Sequence, residues 1–378
     1  MRILFVNEKC GYFAGIEQNV VDTAAGLRAR GHQCHLAYQQ LTGRQDSEYQ
    51  ANFESCVPLD PFAEAVARVQ PEVIYIHKTN VRALGDPPAG VRQIRMVHDH
   101  DLCCPRRHKY YAWNGRICHW KAGWRCYLDL AFLGRAPGPR KVALVSIGEK
   151  MDEMRHNQRL SLLLAGSAAM RDELILNGFP PARVEILPPV VRMAQHAMAP
   201  MPAENRILYV GQLIRGKGVD LLLKAMVHVK REFQLTIAGT GNAQARLEQL
   251  ATKLGLGAKV RFAGWVSPRD LGEYYAGAKL VVVPSRWPEP FGMIGLEAMH
   301  YGRPVVAFRV GGIPDWLEHG VTGLLAPEQD IRGLAGSIEQ LLDDPQLCAR
   351  LGAQAQERVR VKFSFDRYLD RLESFLRA

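Results

Sequence analysis

The chain has 378 residues, 47% of them hydrophobic, and a formal net charge of +10. That length supplies material for two domain cores, and no run approaches the roughly 18–20 apolar residues that span a bilayer. Eight cysteines over this length do not form a disulfide scaffold. The apolar part of the N-terminus is too short for a secretory leader, so a cytoplasmic location is expected, extending to the inner face of a membrane.

Arg2–Val6 reads as a first strand ending in Asn7, followed by a loop with Gly11 and Gly15. Glu17–Ala29 reads as a helix with Val20, Val21, Ala24 and Leu27 on one face, closed by Gly31. Leu36–Tyr38 resumes as strand. This order makes a βαβ unit of a parallel sheet, and G-x-G-x-x-G is absent after the strand. Val73–His77 and Gln93–Val97 are further strands, the second running into His98. Val142–Ile147 and Leu160–Ala165 read as later strands, and Ser167 caps a helix over Ala168–Leu176.

Between residues 92 and 141, eleven lysines and arginines face only three aspartates. Such a block suits an anionic membrane surface, an anionic acceptor or nucleic acid, or is simply a solvated face. Tyr110, Tyr111, Trp113, Trp120 and Trp124 interleave with it, suited to stacking on sugar rings, to a lipid headgroup region, or to a small local core. Cys103, Cys104, Cys118 and Cys126 are zinc candidates alongside the reading as buried or free thiols, because their spacing lacks the paired C-x2-C pattern.

A proline-rich stretch after Val191 reads as the connection to a second sheet. Asn205–Val210 is a strand, followed by GQLIRGKGVD and a helix over Leu221–Lys230. Gln234–Ala238 and Val260–Ala263 are strands, and Asp270–Ala278 is helical. Leu280–Val283 then reads as a buried strand stopped by Pro284. Pro288 and Pro290 keep the following residues extended, and a helix begins near Phe291. This places Glu289 between a strand end and a helix start, with Glu297 further along that helix. A helix N-terminus seats phosphate, Gly292 permits close backbone approach, and flanking carboxylates accept hydrogen bonds from sugar hydroxyls. The chemistry points to a nucleotide sugar.

Glu289-Pro290-Phe291-Gly292, then Glu297-Ala298, then Gly302 to Ala307 and Gly311-Gly312 resemble the retaining glycosyltransferases of family 4. The resemblance implies an α/β GT-B fold, with two Rossmann-like domains whose parallel sheets face across a cleft. The expected division is an acceptor-side domain at 1–190, a linker at 191–204, and a nucleotide-sugar domain at 205–363. A last helix at 364–378 would pack back on the first domain.

By the same resemblance, Glu289 would hold donor sugar hydroxyls, Glu297 the ribose, and His98 the donor sugar, making His98 and Glu289 the catalytic pair. Gly15 stands in a degenerate Gly-Gly-x-Glu element, Ala14-Gly15-Ile16-Glu17. Gly211, Lys217 and Gly218 match the diphosphate-binding loop, but Gln212 replaces the expected arginine, leaving Arg215 and Lys217 for the charge. Val266 would lie near the base, and Phe291, Gly292 and Met293 would form the phosphate seat.

No cofactor is implied beyond the donor, a UDP- or GDP-linked sugar. No divalent metal is required, on the reading that no Asp-x-Asp stands at a strand end in the cleft. The acceptor would be a glycan or a lipid-linked group in bacterial polysaccharide, lipopolysaccharide or other glycoconjugate synthesis, with peripheral membrane contact through 92–141 and no nucleic acid. Two alternatives stand beside this reading. One is another GT-B-type sugar-nucleotide enzyme, an epimerase or hydrolase. The other is a non-enzymatic basic protein that binds membranes or nucleic acid.

Overall fold

The computed structural model describes residues 1–13, 15–85, 90–111, 113–134, 143–193 and 200–378. Ala14, the basic residues Arg135, Arg140 and Lys141, and residues 194–199 of the expected linker lie outside them. The chain forms two compact units. One comprises Met1–Tyr111, Cys118–Arg192 and Phe365–Ala378, and the other Ala112–Ile117 and Met193–Ser364.

The first unit contains β1 (Arg2–Cys10), α1 (Gly15–Ala29), β2 (Gln33–Leu41), α2 (Asp46–Gln50), β3 (Ser55–Pro58), α3 (Phe62–Val69), β4 (Val73–Ile76) and β5 (Arg92–Val97). It continues with α4 (Arg125–Leu128), β6 (Leu133–Gly134), β7 (Ala143–Leu144), α5 (Ile147–Asn157), β8 (Leu162–Ala165), α6 (Ala168–Leu176) and β9 (Val184–Ile186). A seven-stranded sheet has the order β3-β2-β1-β4-β5-β8-β9, and all its pairings are parallel. Its central strands are buried on both faces, which is why they read as unbroken apolar runs such as Ile3–Val6 and Val73–Ile76.

The apolar face of α1 lies inward, with Val20, Val21, Ala24 and Leu27 buried. The last helix, Phe365–Arg377, belongs to this unit. Arg30 pairs with Asp370 and Glu373 at 2.7 Å each, and the Thr23 and Tyr368 hydroxyls are bonded at 3.0 Å.

The expected strand Val142–Ile147 is corrected. Among the described residues of that span only Ala143–Leu144 is a strand, paired antiparallel with β6 outside the main sheet. Ile147 instead opens α5, because the Ser146 hydroxyl caps it by accepting the Glu149 N–H at 3.1 Å. The Ser-x-x-Glu spacing at 146–149 was the available signal. β1 also extends past Asn7 to Cys10, since Lys9 and Cys10 pair with Gln40 and Leu41.

The second unit contains β10 (Arg206–Val210), α7 (Val219–Met226), β11 (Gln234–Ala238), α8 (Gln244–Lys253), β12 (Val260–Gly264), α9 (Leu271–Ala276) and β13 (Leu280–Val283). It continues with α10 (Met293–His300), β14 (Val305–Phe308), α11 (Ile313–Trp316), β15 (Gly323–Ala326), α12 (Ile331–Asp343) and α13 (Pro345–Lys362). Its six parallel strands run β12-β11-β10-β13-β14-β15. The strand order reverses between β10 and β13, so their connections leave in opposite directions and open a crevice at the carboxyl ends of the strands. The corresponding reversal in the first unit falls between β1 and β4. Both sheets therefore present their C-terminal loops where a ligand site forms in this class of fold.

Candidate functional site

In the second unit the site is built on the loop from Pro284 to Gly292, at the reversal point. Pro284, Pro288 and Pro290 keep it irregular between β13 and α10. The loop is tied down on two sides. The amides of Arg286 and Trp287 donate to the Gly216 carbonyl at 3.0 and 3.3 Å, and Arg286 pairs with Asp220 at 2.6 Å. On the other side the Gly312 amide donates to the Glu289 carbonyl at 2.7 Å. Gly311 has φ +52°, and a Cβ there would fall 2.2 Å from the Glu289 carbonyl oxygen, so only glycine admits this approach.

These ties bury Glu289 to 3% exposure. Its Oε1 accepts hydrogen bonds from Lys217 Nζ at 2.7 Å and from the Ser285 hydroxyl. Burial alone would raise this carboxyl, but the Lys217 charge and the hydrogen bonds from Lys217 and Ser285 outweigh it and hold it below the ordinary carboxylate range. The Lys217 ammonium also lies 5.0 Å above the Trp287 ring. An acid and a cation, 72 positions apart in sequence, thus share one crevice.

Gly292, at φ +95°, caps α10, and no side chain occupies the cap. The first amides of this helix keep their capacity for an anion. Phe291 is buried, its ring 5.9 Å from that of Phe363, and its carbonyl accepts the Trp316 indole N–H at 2.6 Å. Its side chain belongs to the core, and only its backbone position serves the loop. Met293, half-buried, begins the helix.

Glu297 lies further along α10, where its Oε2 accepts the Tyr275 hydroxyl at 2.7 Å. Burial raises the Glu297 carboxyl against the opposing pull of that hydrogen bond. Tyr275 in turn stacks on Tyr301, with ring centroids 5.5 Å apart. Gly211 follows β10, with its amide on the Ala238 carbonyl at 3.0 Å. Gln212 is exposed, and its carbonyl takes the Tyr209 hydroxyl at 3.0 Å. Arg215 is half-buried in the turn that ends at Lys217. Val266 follows β12, at the outer edge of the sheet.

In the first unit, Gly15 opens α1, and His98 follows β5. The His98 Nε2 lies 2.9 Å from His77 Nδ1, with the rings stacked at 5.2 Å. Burial, with Lys78 and Arg95 nearby, depresses His98 to about 3, so it is a neutral imidazole. Lys78 bridges the Asp99 and Asp101 carboxylates, the latter at 2.8 Å. Burial and neighbouring Asp101 push Asp99 up.

This corrects the reading of no Asp-x-Asp at a strand end. Asp99-His100-Asp101 has that form and follows β5 directly, but its carboxylates are engaged by the Lys78 ammonium. Among the described residues, no group of three or more His, Cys, Asp or Glu is placed to hold a metal ion. Cys103, Cys104 and Cys118 are buried and Cys126 half-buried.

Much of the basic block is also engaged internally. Arg95 is buried on Asn157 at 2.7 Å, Lys109 pairs with Glu173 at 2.7 Å, and Arg92 donates to the Phe375 carbonyl at 3.1 Å. Sequence reasoning missed Ser285, Tyr275, His77 and Lys78. Each acts through a partner brought near by folding, and only the adjacency of His77-Lys78 to a strand end gave any signal.

Comparison with solved structures gives the class. Over 100% of both chains, with a TM-score of 0.77 at 22% identity, the chain resembles Anabaena Alr3699/HepE, solved in complex with UDP and glucose. It also resembles TarM from S. aureus at a TM-score of 0.76 and 12% identity, again over 100% of each chain. The fold is GT-B.

The family model "Glycosyl transferases group 1" matches residues 197–358, a span that falls in the second unit. Among curated proteins, the chain is 30% identical over 320 residues to the D-inositol 3-phosphate glycosyltransferase of Mycobacterium bovis, covering 75% of this chain and 63% of that one. It is 34% identical over 174 residues to the alpha-D-kanosaminyltransferase of Streptomyces kanamyceticus, covering 45% of each. The matches span about half the length of the curated relatives.

Proposed function

We propose that this chain is a glycosyltransferase of family 4. It moves a sugar from a nucleoside diphosphate donor, UDP- or GDP-linked, to a hydroxyl of a glycan or lipid-linked acceptor, with retention at the anomeric carbon. The pathway is the synthesis of bacterial polysaccharide, lipopolysaccharide or another glycoconjugate. The observation that carries the reading is the buried Glu289 paired with the half-buried Lys217 beside the uncapped start of α10, at the reversal point of the second sheet.

In this reading the bond from the anomeric carbon to the β-phosphate oxygen breaks as a new bond to the acceptor oxygen forms on the same face, and the acceptor hydroxyl's proton passes to the departing phosphate oxygen. Negative charge grows on the leaving diphosphate. Lys217, Arg215 and the amides of α10 from Met293 onward meet that charge, with Gly211 and Gly292 allowing close backbone approach. Gln212, in place of an arginine, makes Lys217 and Arg215 the cations of the loop.

Glu289 accepts hydrogen bonds from the donor sugar, and Glu297 from the ribose. Val266 borders the base. Gly15 and the neutral His98 belong to the sugar and acceptor side, where His98 orients by hydrogen bonding and does not act as a general acid. No divalent metal has a role. The proposed compartment is the cytoplasm, in keeping with eight unpaired thiols.

The test is a titration with UDP- and GDP-sugars, followed by NMR assignment of the product's anomeric configuration. Binding of one nucleotide class and an unchanged configuration are expected. Absence of any nucleotide binding at millimolar concentration refutes the enzyme reading, and inverted product refutes retention.

A further inference from the structure

The excursion between β5 and β7 distributes its side chains in an unusual way. Its interior is made of Cys103, Cys104, Tyr110, Cys118, Ala122 and Ala131, all buried. Its largest apolar side chains are outside. Trp124, the N-cap residue of α4, and Tyr127 and Leu128 within it are spaced i, i+3, i+4 and therefore lie on one side, yet Trp124 is 68% and Leu128 71% exposed. Leu144, on the β6–β7 hairpin, is 81% exposed. Exposed apolar side chains gathered on one short segment mark a docking surface.

The charge around them selects the partner. From Arg106 to Gly134 the sequence has six lysines and arginines and a single acid, Asp129. Lys121 and Arg125 are exposed, and the Arg125 guanidinium lies 3.8 Å over the Trp120 ring. Exposed aromatic rings flanked by cations suit an interface between anionic headgroups and acyl chains. A glycan site would call for carboxylates to accept from sugar hydroxyls, and Asp129 is the single acid between Arg106 and Gly134. A second copy would bring like charge against like charge.

We propose that the face formed by Trp120, Trp124, Tyr127 and Leu128, with Lys121 and Arg125, docks the protein on an anionic lipid surface. This narrows the contact expected from the whole basic block to one apolar face rimmed by the cations left exposed. It rests on the transferase reading only in giving the enzyme access to a lipid-borne acceptor.

The experiment is co-sedimentation of the full chain with phosphatidylcholine vesicles and with vesicles containing phosphatidylglycerol. UDP binding and sedimentation velocity are measured on the same samples. Wild type is expected to pellet with the anionic vesicles, with a blue shift of tryptophan emission. The Trp124→Ala/Leu128→Ala double variant should lose at least tenfold in partitioning, and Lys121→Glu at least about fivefold, at about 1 kcal/mol per cation removed. Both variants change exposed side chains and should keep the wild-type melting temperature and UDP affinity.

No binding to anionic vesicles overturns the proposal. So does binding that the double variant leaves unchanged, which would make it a general charge effect. Self-association abolished by the double variant, without vesicle binding, assigns the face to a second copy and also overturns it. If UDP binds and vesicles do not, only the docking proposal fails. If vesicles bind and no nucleotide does, only the transferase reading fails.

Discussion

Replacing Lys217 with methionine leaves the Glu289 carboxyl, 3% exposed, without its ammonium. Removing one member of a buried ion pair costs roughly 3–5 kcal/mol, because the remaining charge stays desolvated. Here Ser285 remains as a donor and the carboxyl can take up a proton, so the low end, about 3 kcal/mol, applies near pH 7. For a unit of this size that corresponds to a fall in melting temperature of roughly 6–12 °C.

The pH dependence carries the argument. In the wild type Glu289 is held below its ordinary range, so its contribution is complete above the unfolded value, near 4.3, and is lost as pH falls further. In the variant, burial is no longer outweighed, the carboxyl rises above the unfolded value, and stability is lost as pH increases from about 4.3. The melting-temperature gap between wild type and Lys217→Met should therefore widen from pH 4.5 to 7.5. Adding Glu289→Gln should recover much of it, since the charge itself is gone. Scanning calorimetry of the three proteins at both pH values decides the matter. A gap of equal size at both, or a double variant no more stable than Lys217→Met, refutes the reasoning.

Three further outcomes are expected. Tyr275→Phe removes the hydrogen bond to Glu297 and keeps the stacking ring, so UDP affinity by calorimetry should fall about tenfold, and the carboxylate left without its donor should cost about 1–3 kcal/mol of stability. His98, depressed to about 3, binds a proton in the unfolded chain but not in the folded one between that value and about 6.5. Wild-type stability should thus rise with pH through this window, and His98→Asn should flatten part of the rise in urea titrations at pH 4, 5 and 6. Gly295→Ala places a Cβ 2.1 Å from the buried Trp316 ring and should cost about 1–3 kcal/mol, whereas Gly336→Ala, facing open space in α12, should stabilise by about 0.5–1 kcal/mol. Thermal unfolding of the pair tests the packing directly.

Legibility in the sequence followed how local each determinant is. A fully buried parallel strand is a continuous apolar run, so Leu280–Val283 could be placed to the residue. Phe62–Val69, Gln244–Lys253 and α5 were not legible, α5 because Ile147 ends a short apolar run that looks like strand and its cap is a single serine. The loop around Glu289 could be located because prolines and a left-handed glycine act over a few residues. Its partners could not. Ser285 is nearby in sequence, but Tyr275 and Lys217 meet their carboxylates only across strand connections.

The sequence alone determined two α/β units with parallel sheets and a kinked, acidic connection ahead of a helix, because periodicity, proline and glycine act over a few residues. Tertiary structure decided the electrostatic state of the key groups. It buried Glu289 against Lys217, kept His98 neutral beside His77, and closed Asp99 and Asp101 on Lys78. The physical reason is that desolvation and Coulomb interactions depend on distance in space, and strand order, not chain position, sets those distances.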